Sequence, residues 1–473
     1  MPKSNPKENI LYMDYASSFE PNPSSIHDLG VSEKNKLEEA RRIVSEVLHS
    51  HKDEIIFTSG GTESNNIAIW GTVWKAFEIE TYSLTKYFLN SLEKPSSFFS
   101  LNSQSEKVFN SKNYLKNTGI QDTSFFRKNK KDFLKLLKPP HIITTNIEHP
   151  SILETFRIIA KRKMAEVSIV PVEKNGIVDP KKIRNELKEN TVLVSVGYVN
   201  NEIGTIQPIR EIAKEIRHFK KYRLEENIQN RKTKKISLPK NFNDSNKSNQ
   251  NSNFIKEFPY FHTDAVQAVH YLNLNIEQLG VDMLSLSGTK IGGARGAGML
   301  YKKKTIQLAQ VFGGGDQEFG MRPGTENTDT IVKFAKRLSF VQKKKEIKTK
   351  ELLLLRNYFF EKIKKLIPEV IINGDIENRL PNNVNITIPK IPSDLLVIEL
   401  SKKGIMISEK SACKSGDKKA SYVIKAIRTK ASCDETLFGS LRFSFSDTVT
   451  KKQIDDTLQS LVSIIKKLKK WYN

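Results

Sequence analysis

Residues 54–71, EIIFTSGGTESNNIAIWG, join an apolar run to a glycine turn and then to a helical pattern. The run EIIFT predicts a strand, the following Gly60-Gly61 predicts a tight turn, and a helix is expected to begin near Thr62. Such a turn leaves the amides of Gly61 and Thr62 at a helix N-terminus, where amides and helix dipole together favour a phosphate. Alone this signal is weak, because strand-turn-helix connections with glycine are common.

The same alternation of strand and helix continues through the first two thirds of the chain. Helical patterns such as PSILETFRIIAKRK separate several short apolar runs. These runs are HIITT, VSIVPV, TVLVSVGYV, YFHTDAVQAV and VDMLSLS. Strand and helix in alternation predict an α/β fold whose mostly parallel sheet is covered by helices on both faces.

The C-terminal part has a different pattern, with a long helix, the strand-like runs VIING, NVNITI and GSLRFSFS, and a last helix. That helix opens with Thr450 and Gln453, the spacing of a capping box. The sequence therefore predicts an N-terminal segment (residues 1–14), a large domain (residues 15–340) and a smaller α+β domain (residues 341–473).

Two segments interrupt this organisation. Residues 222–256 are rich in Asn, Lys and Ser, so they bury too little apolar surface to offset the cost of ordering, and we predict a disordered loop. Residues 78–139 place aromatic residues among many lysines, a pattern that could stack on nucleic-acid bases. We favour small helices that pack on the surface of the large domain.

Composition restricts the function classes further. No apolar run in the 473 residues approaches membrane-spanning length, and the N-terminus resembles neither a secretory signal nor a transit peptide. With only Cys413 and Cys433 present, a disulfide framework is not expected, which favours a reducing compartment. We therefore predict a cytoplasmic protein.

The chain is strongly basic, with 77 Lys and Arg against 53 Asp and Glu, giving a net charge of +24. Clustered positive charge binds nucleic acid by displacing counterions from phosphates. Here the charge is spread over the whole chain and is mostly Lys. We interpret it as solvated surface charge and expect no nucleic-acid partner.

Two further segments contain candidate chemical groups. In YFHTDAVQAV, Asp264 ends an apolar strand, and a buried carboxylate needs a cation or hydrogen bonds, although an isolated Asp here could equally cap a helix. In VDMLSLSGTKIGGARGAGMLY, Lys290 lies in a turn between two apolar strands, beside closely spaced glycines. Most lysines are solvated charges, but these small neighbours leave room for a planar ring against the amine.

With SVGYVNNEIGTIQPI these segments form an order that resembles the cysteine desulfurases, class V aminotransferases of pyridoxal-phosphate fold type I. The resemblance covers nearly the whole chain outside the two insertions. Its motifs are NPSSIH, TSGGTESNN, HIITTNIEHPSILET, NNEIG, HTDAVQ, SGTK, GGGDQEFGMRPGT, SACKSG and RFSFS. It implies a fold type I transferase that binds pyridoxal 5′-phosphate, with no metal ligands.

The resemblance also implies roles for individual residues. Lys290 would hold the cofactor, His149 would stack on its ring and move protons, and Asp264 would face the protonated ring nitrogen. The remaining cofactor-binding residues would be Gly61, Thr62, Asn201, Gln267, Ser287, Thr289 and, from a partner subunit, Thr325. The substrate-binding residues would be Asn22, Asn201 and Arg442.

Cys413, in SACKSG, would carry the sulfur away. By analogy with the family, its thiolate attacks the sulfur of bound L-cysteine, alanine leaves, and a persulfide remains on Cys413. The resemblance thus implies a homodimer and a scaffold or carrier protein that accepts sulfur for iron–sulfur clusters or tRNA thiolation. Cys433 matches no motif.

One position departs from the family pattern, because Thr289 stands where a His usually precedes the lysine. A neutral hydroxyl binds phosphate less strongly than a cation, so lower cofactor affinity is expected. Two alternatives stay open: a selenocysteine lyase or aminotransferase on the same fold, and a basic nucleic-acid-binding protein without catalysis.

Overall fold

The computed structural model describes residues 12–92, 139–233, 257–409, 421–428 and 440–472. The strands are β1 Ile55–Thr58, β2 His141–Thr145, β3 Glu166–Val170, β4 Thr191–Ser195, β5 Tyr260–Asp264, β6 Met283–Ser287, β7 Gly298–Lys302, β8 Ile371–Ile372, β9 Asn383–Thr387 and β10 Ser440–Ser444. The helices are α1 Asp28–Leu48, α2 Gly61–Leu92, α3 Pro150–Lys161, α4 Pro180–Glu186, α5 Ile209–Thr233, α6 Ile276–Leu279, α7 Thr328–Leu366, α8 Ser393–Ser401, α9 Tyr422–Ala426 and α10 Lys451–Tyr472.

The first seven strands form one sheet in the order β1-β7-β6-β5-β4-β2-β3. Strand β7 runs antiparallel to both of its neighbours, β1 and β6, and the other adjacent strands pair in parallel. Successive side chains enter opposite cores: Phe57 packs in the core that includes α1 and α7, whereas Ile56 packs in the core that includes α2 and α3. The predicted mostly parallel sheet, covered on both faces, is confirmed.

Strands β8, β9 and β10 form a separate antiparallel sheet, which packs with α8, α10 and the second half of α7. The predicted capping box is present: the amide of Thr450 donates to Gln453 Oε1 (2.9 Å), and the amide of Gln453 donates to Thr450 Oγ1 (3.3 Å). The division near residue 341 falls inside α7, which contributes Val341 to the large core and Phe359 to the small one. The division into a large and a small domain near residue 341 therefore stays a proposal.

Both insertions begin as helix extensions. The disorder predicted from residue 222 is wrong for residues 222–233, because they continue α5. Arg223 is buried there and donates to the carbonyls of Phe258 (2.8 Å) and Glu189 (3.2 Å), contacts that a composition count does not reveal. Residues 234–256 of this insertion lie outside the described residues, as do residues 93–138 of the other, after α2 ends.

A buried ion pair connects α1 to the segment GGGDQEFGMRPGT. Arg41 Nη1 and Nη2 donate to the two carboxylate oxygens of Glu318, at 2.9 and 2.7 Å, and both residues are less than 5% exposed. Glu318 also accepts the amide of Phe57 in β1 (2.7 Å). The pair therefore fixes this glycine-rich segment against the edge of the large sheet.

We expect Arg41→Met to destabilise the fold by about 3–5 kcal/mol, because it leaves the Glu318 charge buried without its partner. Urea unfolding followed by fluorescence measures the change. The neighbouring Arg42→Met is the matched control, since Arg42 pairs with Glu39 and Glu46 on the exposed face of α1 and exposed pairs contribute little. Equal losses in the two variants would contradict this account.

Candidate active site

A cavity of about 260 Å³ lies at the carboxyl ends of the parallel strands of the large sheet. Loops after neighbouring parallel strands converge at this edge, which is where α/β folds bind ligands. Ten of the predicted site residues line it: Gly61, Thr62, His149, Asn201, Asp264, Gln267, Ser287, Thr289, Lys290 and Arg442.

Three predicted residues are not among those that line the cavity. Asn22 lies in a surface turn, where its Oδ1 accepts the amide of Ser24 (2.9 Å). Thr325 is exposed in the loop before α7 and does not line this cavity within the single chain. Cys413 lies outside the described residues.

One end of the cavity combines a helix N-terminus with hydroxyl groups. The first amides of α2, at Gly61 and Thr62, have no acceptor within the helix. Ser287 packs against the turn, and its Oγ lies 2.9 Å from Thr289 Oγ1. A Cβ on Gly61 would lie 2.9 Å from Val266, so a side chain at that position would crowd the turn. This end of the cavity offers donors suited to an anion such as a phosphate.

The cavity is also lined by Asp264, whose carboxylate lies at the end of β5. Its Oδ1 accepts the amide of Val266 (3.0 Å), and its Oδ2 accepts Asn65 Nδ2 (2.8 Å). Within the described residues, Asp264 forms no ion pair with a Lys, Arg or His side chain, so its charge is available to a cation in the cavity.

Lys290 ends a 3-10 turn that begins directly after β6. Its carbonyl accepts a hydrogen bond from His270 Nε2 (2.7 Å), and its side chain is exposed. Gly293 follows with a φ of 82°, and a Cβ there would contact nothing within 4 Å. The positive φ at Gly293 is therefore the reason for glycine at this position, because space there would also admit a Cβ.

His149 forms the N-cap of α3, with its Nδ1 accepting the amide of Ser151 (3.2 Å). Burial lowers the pKa of His149, and nearby Lys290 lowers it further, while Asp264 acts in the opposite direction. The ring is therefore predominantly neutral near pH 7.

Arg442 brings the small sheet to the cavity. Its Nη1 donates to the carbonyl of Asn201 (3.0 Å), and burial lowers the pKa of its guanidinium. Its Nε is buried and, among the described residues, has no hydrogen-bond partner. Arg442 itself lines the cavity, and a guanidinium is suited to pairing with a carboxylate.

Sequence reasoning missed several residues that line the same cavity. They include Asn65, Glu148, Ser151, Gly197 and Asn200. Four of them, all but Gly197, lie within the quoted motifs TSGGTESNN, HIITTNIEHPSILET and NNEIG, and Glu148 and Asn200 directly adjoin predicted residues. The signal was present, but a polar residue next to a motif residue cannot be assigned to the cavity without the fold.

Glu148 lines the cavity but is almost completely buried, with 4% of its surface exposed. Its Oε1 accepts the Thr145 hydroxyl (2.6 Å), and its Oε2 accepts the Gly197 amide (2.8 Å). A Cβ on Gly197 would lie only 2.8 Å from Oε2, so the close approach requires glycine. Burial raises the pKa of Glu148 to about 8, which leaves the carboxyl largely protonated at neutral pH.

This raised pKa predicts a pH dependence of stability. The folded chain keeps the Glu148 proton up to about pH 8, whereas the unfolded chain releases it near pH 4.5, so the free energy of unfolding falls as pH rises through this window. The slope approaches about 1.4 kcal/mol per pH unit for one proton. Glu148→Gln, which cannot ionise, is expected to lose this slope in urea unfolding measured from pH 5 to pH 8.

Buried histidines contribute in the opposite direction, because burial lowers the pKa of His141 to about 4 and of His262 to about 3. In the wild type and in Glu148→Gln alike, these histidines lower the free energy of unfolding as pH falls below about 6.5. Subtracting the free energy of unfolding of Glu148→Gln from that of the wild type at each pH cancels the contribution of these histidines. Parallel curves across the window would refute the assignment of a buried, protonated Glu148.

Comparison with known proteins shows the family of this chain. The sequence model of the Aminotransferase class-V family matches residues 8–82, 107–240 and 223–457. A cysteine desulfurase IscS from Dictyoglomus turgidum is 32% identical, with 95% of this chain and 88% of that protein covered. A cysteine desulfurase IscS from Methanosarcina thermophila is also 32% identical, covering 95% and 86%.

The chain belongs to the cysteine desulfurases of the class-V aminotransferase family. A solved NifS-like protein superposes with a TM-score of 0.66 at 25% identity, covering 94% of this chain and 91% of the other. The cysteine desulfurase therefore has the expected pyridoxal-phosphate fold type I, and its family depends on that cofactor. In the described part of this cysteine desulfurase, every helix is too short or too polar to span a bilayer.

Proposed function

We propose that this chain converts L-cysteine to L-alanine and retains the sulfur as a persulfide on Cys413. The observation that carries the proposal is a single cavity lined by Lys290, Asp264, His149 and the first turn of α2, in a chain of this family. The amine, the carboxylate and the amide cradle are the three groups that a pyridoxal phosphate needs from a protein.

The residues present fit this cofactor. The crowded turn at Gly61 and the Ser287 and Thr289 hydroxyls suit the phosphate, and the carboxylate of Asp264 suits the ring nitrogen. Lys290 is exposed and lines the cavity, so its amine suits a bond to the cofactor. When bound, pyridoxal phosphate supplies an aldehyde and an electron-withdrawing ring for reactions at an amino acid's carbons.

The protein's own groups then bind and orient the substrate. We assign the substrate carboxylate to Arg442, whose buried Nε has no partner among the described residues, with Asn201 beside it. We assign proton transfer in the cavity to His149, which is predominantly neutral near pH 7. Asn22 stays a proposed substrate contact, although it does not line this cavity in the single chain.

Cys413 is proposed to take the sulfur. Its thiolate forms an S–S bond to the substrate sulfur while the Cβ–S bond of the substrate breaks, and the carbon fragment takes up a proton to become alanine. The sulfur stays as a persulfide until an acceptor thiol removes it. We propose a scaffold or sulfur-carrier protein as the acceptor, serving iron–sulfur cluster assembly or tRNA thiolation.

We further propose a homodimer in the cytoplasm. Thr325 is exposed and does not line the cavity of its own chain, which supports its proposed contact to a partner subunit's phosphate. Size-exclusion chromatography with light scattering tests the dimer. A monomer with full activity would remove Thr325 from the site.

Thr289 offers a test of the phosphate cradle. Thr289→His introduces a group that can carry positive charge at an exposed position beside Ser287, and a charged donor binds phosphate more strongly than a hydroxyl. We expect cofactor affinity to rise by about tenfold, which corresponds to one charge-assisted hydrogen bond. Absorbance titration of the apoprotein with pyridoxal phosphate measures it, and unchanged affinity would place the phosphate elsewhere.

The proposed function is tested by the absorbance spectrum of the purified protein and by its products. We expect a yellow protein whose spectrum changes on adding L-cysteine and which releases one alanine for each sulfur delivered to a thiol. Selenocysteine and keto-acid acceptors are tested in parallel, because turnover confined to those substrates would favour a lyase or an aminotransferase. A colourless, inactive protein that cannot be loaded with cofactor would refute the proposal.

A further inference from the structure

A chain of hydrogen bonds connects the carboxylate of Asp264 to the ring of His149, and its central member is Asn65. Asn65 lies in the first turns of α2, is 1% exposed and lines the cavity. Its Nδ2 donates to Asp264 Oδ2 (2.8 Å) and to Ser151 Oγ (2.9 Å). Ser151 Oγ lies in turn 2.8 Å from His149 Nδ1. Four residues from three elements thus share one network.

The orientation of the Asn65 amide follows from Asp264. A carboxylate oxygen only accepts hydrogen bonds, so the amide nitrogen must face it. Rotating the amide would set Asn65 Oδ1 against the carboxylate, with two acceptors in contact. Oδ1 is buried and has no partner within the described residues, so the two donated bonds determine the orientation. Both hydrogens of Nδ2 are therefore committed.

This orientation fixes the hydroxyl of Ser151. Because Ser151 Oγ accepts a hydrogen from Asn65, its own hydrogen is free to point to His149 Nδ1, 2.8 Å away. The backbone amide of Ser151 donates to the same Nδ1 at 3.2 Å. With two donors aimed at it, Nδ1 must be unprotonated, and a neutral ring then carries its proton on Nε2.

We propose that Asn65 is a positioning residue that holds the Asp264 carboxylate and, through Ser151, fixes His149 in the tautomer protonated at Nε2. In the resting protein His149 therefore offers a hydrogen-bond donor at Nε2, and it can accept a proton there only after a change of tautomer. The charged groups that act on this ring are Asp264 and Lys290. The tautomer depends only on this chain's own contacts, whereas its use in catalysis rests on the proposed function.

The tautomer can be measured without cofactor or turnover. The apoprotein is labelled with ¹⁵N at histidine, and His149→Gln identifies the signals of residue 149 among the eight histidines. We expect Nδ1 to resonate as a bare nitrogen and Nε2 as a protonated one near pH 7. Ser151→Ala and Asn65→Ala are expected to shift both signals toward a mixture of tautomers, whereas Ser151→Thr, which keeps a hydroxyl, retains the wild-type pattern.

Thr72→Val is the matched control on α2, since among the described residues the buried Thr72 hydroxyl donates only to the carbonyl of Ala68 in its own helix (2.7 Å). It should leave the His149 signals unchanged. A second measurement follows cofactor binding by absorbance. Asn65→Ala is expected to weaken cofactor binding by about tenfold, because the Asp264 carboxylate loses a donor. Thr72→Val is expected to leave cofactor binding unchanged.

A wild-type ring protonated at Nδ1, or signals that neither Asn65→Ala nor Ser151→Ala changes, would overturn the proposal. Either result leaves alanine release by the wild type untouched. Conversely, a protein with the expected tautomer but no desulfuration would refute the proposed function alone. The two proposals therefore fail on different measurements.

Discussion

Lys290→Ala is expected to yield a protein that does not turn yellow with pyridoxal phosphate and that releases alanine from cysteine at least about 10³-fold more slowly than wild type. The reason is chemical, because Lys290 is the amine in the cavity proposed to bond the cofactor aldehyde. Absorbance after reconstitution and an alanine assay measure the two effects.

Two control variants separate amine chemistry from charge. Lys290→Arg keeps a positive charge but cannot bond an aldehyde in the same way, so we expect it to be as inactive as Lys290→Ala. Lys303→Ala removes an exposed lysine that follows β7 and is expected to keep both colour and activity. An active, yellow Lys290→Arg protein would mean that another lysine holds the cofactor.

Cys413→Ala is expected to give a different loss, with cofactor colour retained and turnover abolished, again by at least about 10³-fold. The thiol is proposed to act only after cysteine has bound, so the spectral change on adding cysteine should survive. Rapid-mixing absorbance and an alanine assay distinguish these steps. Wild type incubated with cysteine should also carry an added sulfur atom by mass spectrometry, which the variant lacks.

The chain contains its own matched control, because Cys433 is the only other cysteine in the sequence. Cys433→Ala is expected to keep colour, alanine release and the added sulfur. If Cys433→Ala loses activity and Cys413→Ala keeps it, the assignment of the sulfur-carrying thiol is wrong. Loss in both would indicate that the two thiols act in sequence.

The site residues differed in how far the sequence could assign them. Motifs such as SGTK and HTDAVQ predicted Lys290 and Asp264, because each couples a reactive group to a strand end with small neighbours. Asn65 and Glu148 were missed although each lies within a quoted motif. Their importance comes from partners distant in the chain: Asp264 lies 199 residues after Asn65, and Gly197 lies 49 residues after Glu148.

The wrong prediction of disorder for residues 222–233 has the same origin. Composition predicted disorder from residue 222, but α5 continues to Thr233, and within it Arg223 donates to backbone carbonyls at Glu189 and Phe258. Low hydrophobicity measures how much surface a segment can bury by itself. It does not count hydrogen bonds that other segments offer.

By itself, the sequence determined the α/β class, the mostly parallel sheet, the capped last helix and the family motifs, because periodicity, turn residues and caps are local properties. Only the tertiary structure decided that Arg442 of β10 reaches a cavity of the large sheet, that Glu148 is enclosed and protonated, and that Asn65 connects Asp264 to His149. Burial and hydrogen-bond partnership depend on groups far apart in the chain, and folding alone brings them within bonding distance.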